Sequence, residues 1–200
     1  HEDSDLLVVD KPSGLLSVPG KGEHLADCLL SRLEAAFPTV RLVHRLDRDT
    51  SGVMIFALTR RAQRHISRQF EQRRTTKDYI ARVRGRVAEA EGVVDQPIAV
   101  DWENRPRQKV CAETGRPAQT GWRVLRHEGD TTRLRLTPVT GRSHQLRVHM
   151  LWMGHAILGD PLYDPDGAQQ HERLMLHAQS LRLRHPDGGA HVTYTATCPF

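Results

Sequence analysis

The sequence predicts an α+β fold: a mixed, mostly antiparallel sheet flanked by helices and loops. Two observations carry this. Strand-like runs outnumber helical ones, and they come in hairpins rather than in strict β-α-β alternation. Asp5–Asp10 reads as a short buried strand, stopped by the turn residues Lys11-Pro12-Ser13-Gly14, and Leu15–Val18 returns to extended structure before Pro19-Gly20. From His24 to Phe37, the residues Leu25, Cys28, Leu29, Leu33 and Ala36 recur at helical spacing, and Pro38 ends the helix. A polar run, Val43–Gly52, precedes a clear strand over Val53–Leu58. Thr59 caps the next helix, which extends to about Gln72, with Ala62, Ile66 and Phe70 on one face and Arg60, Arg64 and Arg68 opposite.

Lys77–Val87 alternates, with Tyr79, Ala81 and Val83 facing inward and Arg82, Arg84 and Arg86 outward. Gly92–Arg107 reads as connection. Gln119–Arg126 and Thr131–Pro138 read as a hairpin turned at Glu128-Gly129-Asp130. Thr140–Ser143 opens a helix running through Met153, with Leu146, Met150 and Met153 as its core stripe and Gly154 as its cap. Strands at Leu174–Arg184 and His191–Thr197 close the chain.

The chain has 200 residues, 38% of them hydrophobic and 26% charged. That excludes a disordered chain, and no run approaches the roughly 18 apolar residues of a membrane span. The length suits one domain, taken here as residues 1–200 without an added RNA-binding domain. Three separated cysteines, Cys28, Cys111 and Cys198, without metal-ligand spacing read as reduced, mostly buried thiols of a cytoplasmic protein.

The net charge of +5 is unevenly placed. Residues 60–86 carry ten basic groups against Glu71 and Asp78, a local +8, while the other 173 residues sum to −3. Arginine outnumbers lysine 25 to 4, which suits bidentate phosphate contacts but also follows from an Arg-rich codon preference. Clustering does not follow from codon preference, and like charges this dense repel one another. A polyanion footprint is favoured over a merely solvated face.

Twelve histidines suggest a metal, yet His144 and His149 are five apart and no His/Cys cluster appears. Glycine-rich nucleotide loops and a GxSxG nucleophile are also absent. Two polar segments remain. In His44–Gly52, Asp47 is flanked by Arg45 and Arg48; an ionised aspartate there can be a nucleophile, a base or half of a salt bridge. In Thr140–His149, the residues Arg142, His144, Gln145, Arg147 and His149 crowd one helix start.

These segments carry a resemblance. His44–Gly52 is similar to the HRLDxxTSG signature of the RluA-type pseudouridine synthases, Thr140–His149 to their TGRxHQ(L/I)R(V/I)H motif, and Lys77–Ala81 to their KxYxA strand. Asp10–Gly20 resembles the family's opening. Asp101–Cys111 and Glu113–Thr120 look like the RluA subgroup itself, and the DWxNRPxQKV stretch is the most specific of these signals.

The resemblance implies a pseudouridine-synthase-like catalytic core with a central active-site cleft. It further implies an enzyme that converts uridine in RNA to pseudouridine without cofactor or metal. Asp47 would be the catalytic nucleophile, Arg147 the partner holding it ionised, and Tyr79 the ring that stacks on uracil and serves the proton transfer at C5. Arg45 would enter the RNA stack beside the flipped base. Arg142 and His144 are either phosphate contacts or helix-start packing. Arg64, Arg68, Arg82 and Arg84 would form the phosphate-binding surface. The expected substrates are 23S rRNA and tRNA stem-loops, bound by a monomer without membrane attachment. A synthase with one different RNA target, and a non-catalytic RNA-binding module, are the competing readings.

Overall fold

In the computed structural model, which describes residues His1–Phe200, the elements follow in the order β1 (Leu6–Lys11), α1 (Leu29–Ala36), β2 (Arg41–Leu42), β3 (Ser51–Ala57), α2 (Arg60–Glu71), β4 (Thr76–Arg84), β5 (Glu91–Asp95), β6 (Ile98–Val100), β7 (Gln108–Val110), β8 (Gln119–Glu128), β9 (Thr131–Pro138), α3 (Gln145–Trp152), α4 (Pro165–Ala168), β10 (Leu176–Arg184) and β11 (His191–Thr195). The α+β class holds, and the pairs β1–β3, β2–β3, β4–β9, β5–β8, β6–β7, β8–β9 and β10–β11 are antiparallel. The chain divides into two compact units, one of residues 1–77 and 178–199, the other of 78–177 with Phe200.

In the first unit β3 is buried along all seven residues, as expected of a strand covered on both faces and paired on both edges. β1 runs antiparallel along one edge, from Leu6 opposite Ala57 to Lys11 opposite Gly52. The other edge meets β10, which forms a hairpin with β11. α2 begins where Thr59 Oγ1 accepts from Ala62 N (3.1 Å), and it buries Ala62 and Ile66. Its cap is tied down in turn, since Thr59 donates to Asp5 (2.9 Å).

Gly52 sits in this unit at φ +116°. A Cβ there would collide with the backbone carbonyl oxygen of Ala178. Both the left-handed backbone and the close strand approach therefore require glycine. Gly52→Ala is expected to destabilise the protein by about 2–3 kcal/mol, read as a lower urea midpoint at unchanged m value.

The second unit is an antiparallel meander in the order β4-β9-β8-β5. Tyr79 and Trp122 both stand opposite Leu136, and a bulge between Val124 and Arg126 shifts the β8–β9 register. Its core gathers Ala81, Val83, Trp122, Leu134, Leu136, Leu146 and Met150. A smaller cluster of Ile98, Ala118, Val148 and Tyr163 lies under the β6–β7 hairpin. α3 faces both clusters and is buried from Gln145 through Met150, so it shows no single apolar stripe.

Several expectations need correction. The helix expected over His24–Phe37 begins only at Leu29, capped by Cys28 Sγ, with a single 3-10 turn at Glu23–Leu25 before it. Leu15–Val18 forms one bridge, Leu16 to Cys28, rather than a strand. The Gly92–Arg107 connection contains β5 and β6, whose exposed Val93 and short length hide the strand period. α3 starts at Gln145 because His144 adopts φ +55°, a left-handed conformation that keeps Thr140–Ser143 out of the helix. Of the thiols only Cys28 is buried; Cys111 and Cys198 are half-buried, and none of the three forms a disulfide.

Candidate active site

In the first unit, the segment that carries Asp47 is gripped through its backbone. Lys11, with no exposed surface, donates from Nζ to the carbonyl oxygens of Pro12 (2.9 Å), Leu15 (2.7 Å) and Arg48 (2.8 Å). Ser13 Oγ donates to Asp49 O (2.6 Å), and Gly14 N to Arg48 O (3.0 Å). Ser17 Oγ donates to Leu46 O (2.7 Å) and accepts from Leu46 N (3.2 Å). The Lys11–Ser17 stretch is thus a clamp on residues 46–49, and every buried polar group in it is satisfied. Asp47 is half-buried on a turn closed by Thr50 N donating to Asp47 O (3.2 Å).

The flanking charges divide differently from the sequence expectation. Arg48 pairs with Asp49 (3.0 Å), and Arg45 is exposed. His44 is structural: its Nε2 accepts from Ile55 N (3.0 Å) and its ring stacks on Phe70 at 4.8 Å. Burial, with the charge of Lys77 adding to it, pushes the His44 pKa down to about 3, so the ring stays neutral and able to accept.

In the second unit, Arg147 is 2% exposed and pairs bidentately with the wholly buried Asp160, at 2.8 Å from Nε and 2.7 Å from Nη2. Asp160 also accepts from the backbone N–H groups of Leu162 (3.0 Å) and Tyr163 (3.1 Å). The Tyr163 ring lies against the Arg147 guanidinium, 5.0 Å from carbon to centroid, and its hydroxyl meets His144 Nδ1 (2.8 Å) and accepts from Gln108 N (2.8 Å). Arg147 is therefore fixed in plane and position by residues from three segments. Sequence reasoning missed Asp160 and Tyr163. Their one local signal, Leu158-Gly159-Asp160-Pro161, reads as an ordinary turn.

The polar helix start proves to be packing for the most part. Gln145 accepts from Thr140 Oγ1 (2.6 Å) and Arg142 N (3.0 Å), and donates to Gln119 O (2.9 Å) and Thr120 Oγ1 (3.0 Å). His149 Nε2 donates to Gln96 O (3.0 Å), leaving Nδ1 to accept from Thr120 Oγ1 (2.9 Å); burial holds its pKa low. Arg142 donates from Nε to Pro117 O (3.0 Å). Tyr79 is half-buried and packs against the core of its unit.

The arginine cluster is also redistributed. Arg61 pairs with Asp5 (2.5 Å), Arg84 with Asp164 (2.6 Å), and Arg82 with Glu128 (2.8 Å), which holds Arg126 and Arg133 as well. Burial acts to raise the Glu128 pKa, but hydrogen bonds from Arg126 and Arg133 and the surrounding positive charge outweigh it, so the carboxyl stays below its usual range. Counting charges along residues 60–86 could not anticipate carboxylates from elsewhere. Arg60, Arg64, Arg68, Arg73 and Arg74 remain exposed along α2 and the turn after it.

Residues 5–152 match the RNA pseudouridylate synthase family, and the chain belongs to it. It is an isomerase that converts uridine in RNA to pseudouridine.

The dual-specificity RNA pseudouridine synthase RluA of Yersinia pestis is 50% identical over all of this chain and 98% of its own length. The protein of the same name from Escherichia coli K12 is 50% identical over all of this chain and 92% of its own. Among solved structures, human RNA pseudouridylate synthase domain containing 1 superposes with a TM-score of 0.84 at 33% identity, over all of this chain and 82% of that one.

Proposed function

We propose that this enzyme isomerises uridine in both a 23S rRNA stem-loop and a tRNA anticodon stem-loop, with Asp47, Tyr79 and Arg147 as its catalytic residues. The observation that carries the dual target is the identity to relatives named for dual specificity, which extends over the whole chain. In this reading Asp47 attacks the target nucleotide, the N1–C1′ bond breaks, the uracil rotates and rejoins C1′ through C5, the bond to Asp47 breaks, C5 loses a proton and N1 gains one. Substrate and product are isomers, so atoms and electrons balance without a co-reactant. Tyr79 stacks on the uracil and assists the proton transfer, and Arg147 stabilises negative charge. Arg45 enters the RNA stack at the flipped nucleotide.

The exposed arginines of α2 supply phosphate contacts, Arg64 and Arg68 foremost, and Arg82, Arg84, Arg142 and His144 have supporting roles. Neutralising Arg64 and Arg68 together is expected to weaken RNA binding and to lower the slope of log K against log salt by about one to two. An unchanged slope would return them to a solvated face. Neutralising Arg82 and Arg84 is expected to lower stability slightly too, because Asp164 loses its cation and Glu128 loses one of three.

The deciding experiment is tritium release from C5-labelled uridine in transcribed 23S rRNA and in a tRNA anticodon stem-loop. Release from both substrates is expected. Release from one alone leaves a single-target synthase, and release from neither leaves an RNA-binding module. Size-exclusion chromatography with light scattering tests the monomer, and fractionation of the source cells tests the cytoplasmic location.

A further inference from the structure

The β6–β7 hairpin is not accounted for by the chemistry above. Its tip, Asp101–Arg107, is closed by its own backbone: Asp101 N donates to Arg107 O (3.0 Å), Asn104 N to Asp101 O (3.2 Å) and Arg107 N to Asn104 O (2.9 Å). The Asp101 carboxylate accepts from the Asn104 side chain (3.0 Å) and pairs with Lys109 (3.5 Å). On this rigid tip Trp102 is 68% exposed, the most exposed of the large hydrophobic side chains. The Arg105 guanidinium lies 3.8 Å from the centroid of its ring, and Arg105 is itself exposed and joins no ion pair. One indole face is thus backed by a cation while the rest of the ring is open to solvent.

The hairpin is also held at its base. Gln108 N donates to the Tyr163 hydroxyl, and the Arg107 guanidinium lies 5.3 Å from the Tyr163 ring centroid. Tyr163 is the same residue that packs on Arg147. Nε of Arg107 is buried with no hydrogen-bond acceptor, and the Arg107 charge acts on the nearby Asp101 carboxylate, so Arg105 is the cation at this tip that joins no ion pair. A flat apolar ring backed by an exposed arginine suits one kind of occupant. It takes a nucleobase on the ring and a phosphate against the guanidinium.

We propose that Trp102, backed by Arg105, is a stacking platform for an unpaired base of the RNA substrate other than the target uridine, and that it contributes to choosing which stem-loops are accepted. The proposal rests on the RNA-modifying activity of the family and extends it to a recognition residue. An exposed indole costs little to truncate in the free protein, so a loss on truncation reports the RNA contact. A stacked base held by a fixed hairpin binds substrate and transition state alike, which moves KM and Kd rather than kcat.

The test uses the full chain and a transcribed tRNA anticodon stem-loop with C5-tritiated uridine. Trp102→Ala is expected to raise Kd by filter binding and KM by tritium release about tenfold or more, with kcat changed by no more than about twofold and an unchanged circular dichroism melt. Trp102→Phe, which keeps a ring, is expected to recover most of the loss. The stacked base is located by removing the bases of the unpaired loop nucleotides one at a time. At one position the abasic RNA is expected to weaken the wild type and leave Trp102→Ala indifferent.

Unchanged Kd in Trp102→Ala would overturn the proposal, as would equal losses at every abasic position. If the wild type binds the RNA but releases no tritium, the catalytic reading fails while the binding arm still decides this one. If Trp102→Ala binds RNA normally but loses association with another protein, the platform serves a protein partner and the proposal is wrong.

Discussion

Asp47→Asn is expected to abolish pseudouridine formation, with a single-turnover rate of tritium release lower by more than about a thousandfold. The substitution is nearly isosteric. The contacts that hold residues 46–49 run from Lys11, Ser13, Gly14 and Ser17 to backbone atoms, and none of them involves the Asp47 carboxylate. The variant keeps those backbone contacts, so it should fold and still bind RNA, and a loss of rate at retained binding reports the missing nucleophile. A variant retaining the full rate would remove Asp47 from the mechanism. An intermediate loss of about tenfold would suit a positioning role instead.

The second large effect concerns Asp160, which no motif pointed to. Asp160→Asn keeps the shape but removes the charge that compensates a buried guanidinium, since Arg147 and Asp160 are 2% and 0% exposed. Breaking one side of such a pair is expected to cost about 3–5 kcal/mol, measured by urea unfolding. The cost comes from leaving a buried guanidinium with less compensating charge and not from losing a net attraction, because the pair was itself expensive to desolvate. The double variant Asp160→Asn with Arg147→Met, which removes the buried cation while keeping an acceptor for the Leu162 and Tyr163 N–H groups, is accordingly expected to regain part of that stability, and to remain inactive if Arg147 is catalytic. If the double variant is as unstable as Asp160→Asn, the stranded-charge account fails. If it is stable and active, Arg147 has no catalytic role.

Asp160 shows where the sequence stops being legible. The hairpin of β8 and β9 was readable because alternation and a Glu-Gly-Asp turn are properties of neighbouring residues. The helix cap at Thr59 was readable for the same reason, and so were the polar segments around Asp47 and Arg147. β5 and β6 were not, because strands of five and three residues carry too few alternations, and Val93 is exposed where the pattern asks for a buried residue. The start of α3 was misplaced because the local pattern gave no warning that His144 would take a left-handed turn.

The clamp formed by Lys11 and Ser17 lay inside a motif that the sequence did expose, but its purpose did not. A lysine next to Pro-Ser-Gly reads as a solvated turn residue. Only the fold brings the carbonyl of Arg48, 37 positions away, to within 2.8 Å of its Nζ. Likewise the +8 count of residues 60–86 was correct as arithmetic but incomplete as electrostatics. Asp5, Glu128 and Asp164 come from outside that segment and neutralise Arg61, Arg82 and Arg84.

By itself, then, the sequence determined the α+β class, the order of the main hairpins, the polar segments that bear the family's motifs, and the family. Each of those depends on turn chemistry, on periods of two and 3.6 residues, or on motifs contiguous in the chain. The tertiary structure alone decided which charges are paired, that Arg147 is anchored by Asp160 and Tyr163, and that an indole stands exposed on a braced hairpin. Coulomb attraction and hydrogen bonding act over a few ångströms of space, whatever the separation along the chain, so their partners are fixed only when the chain has closed.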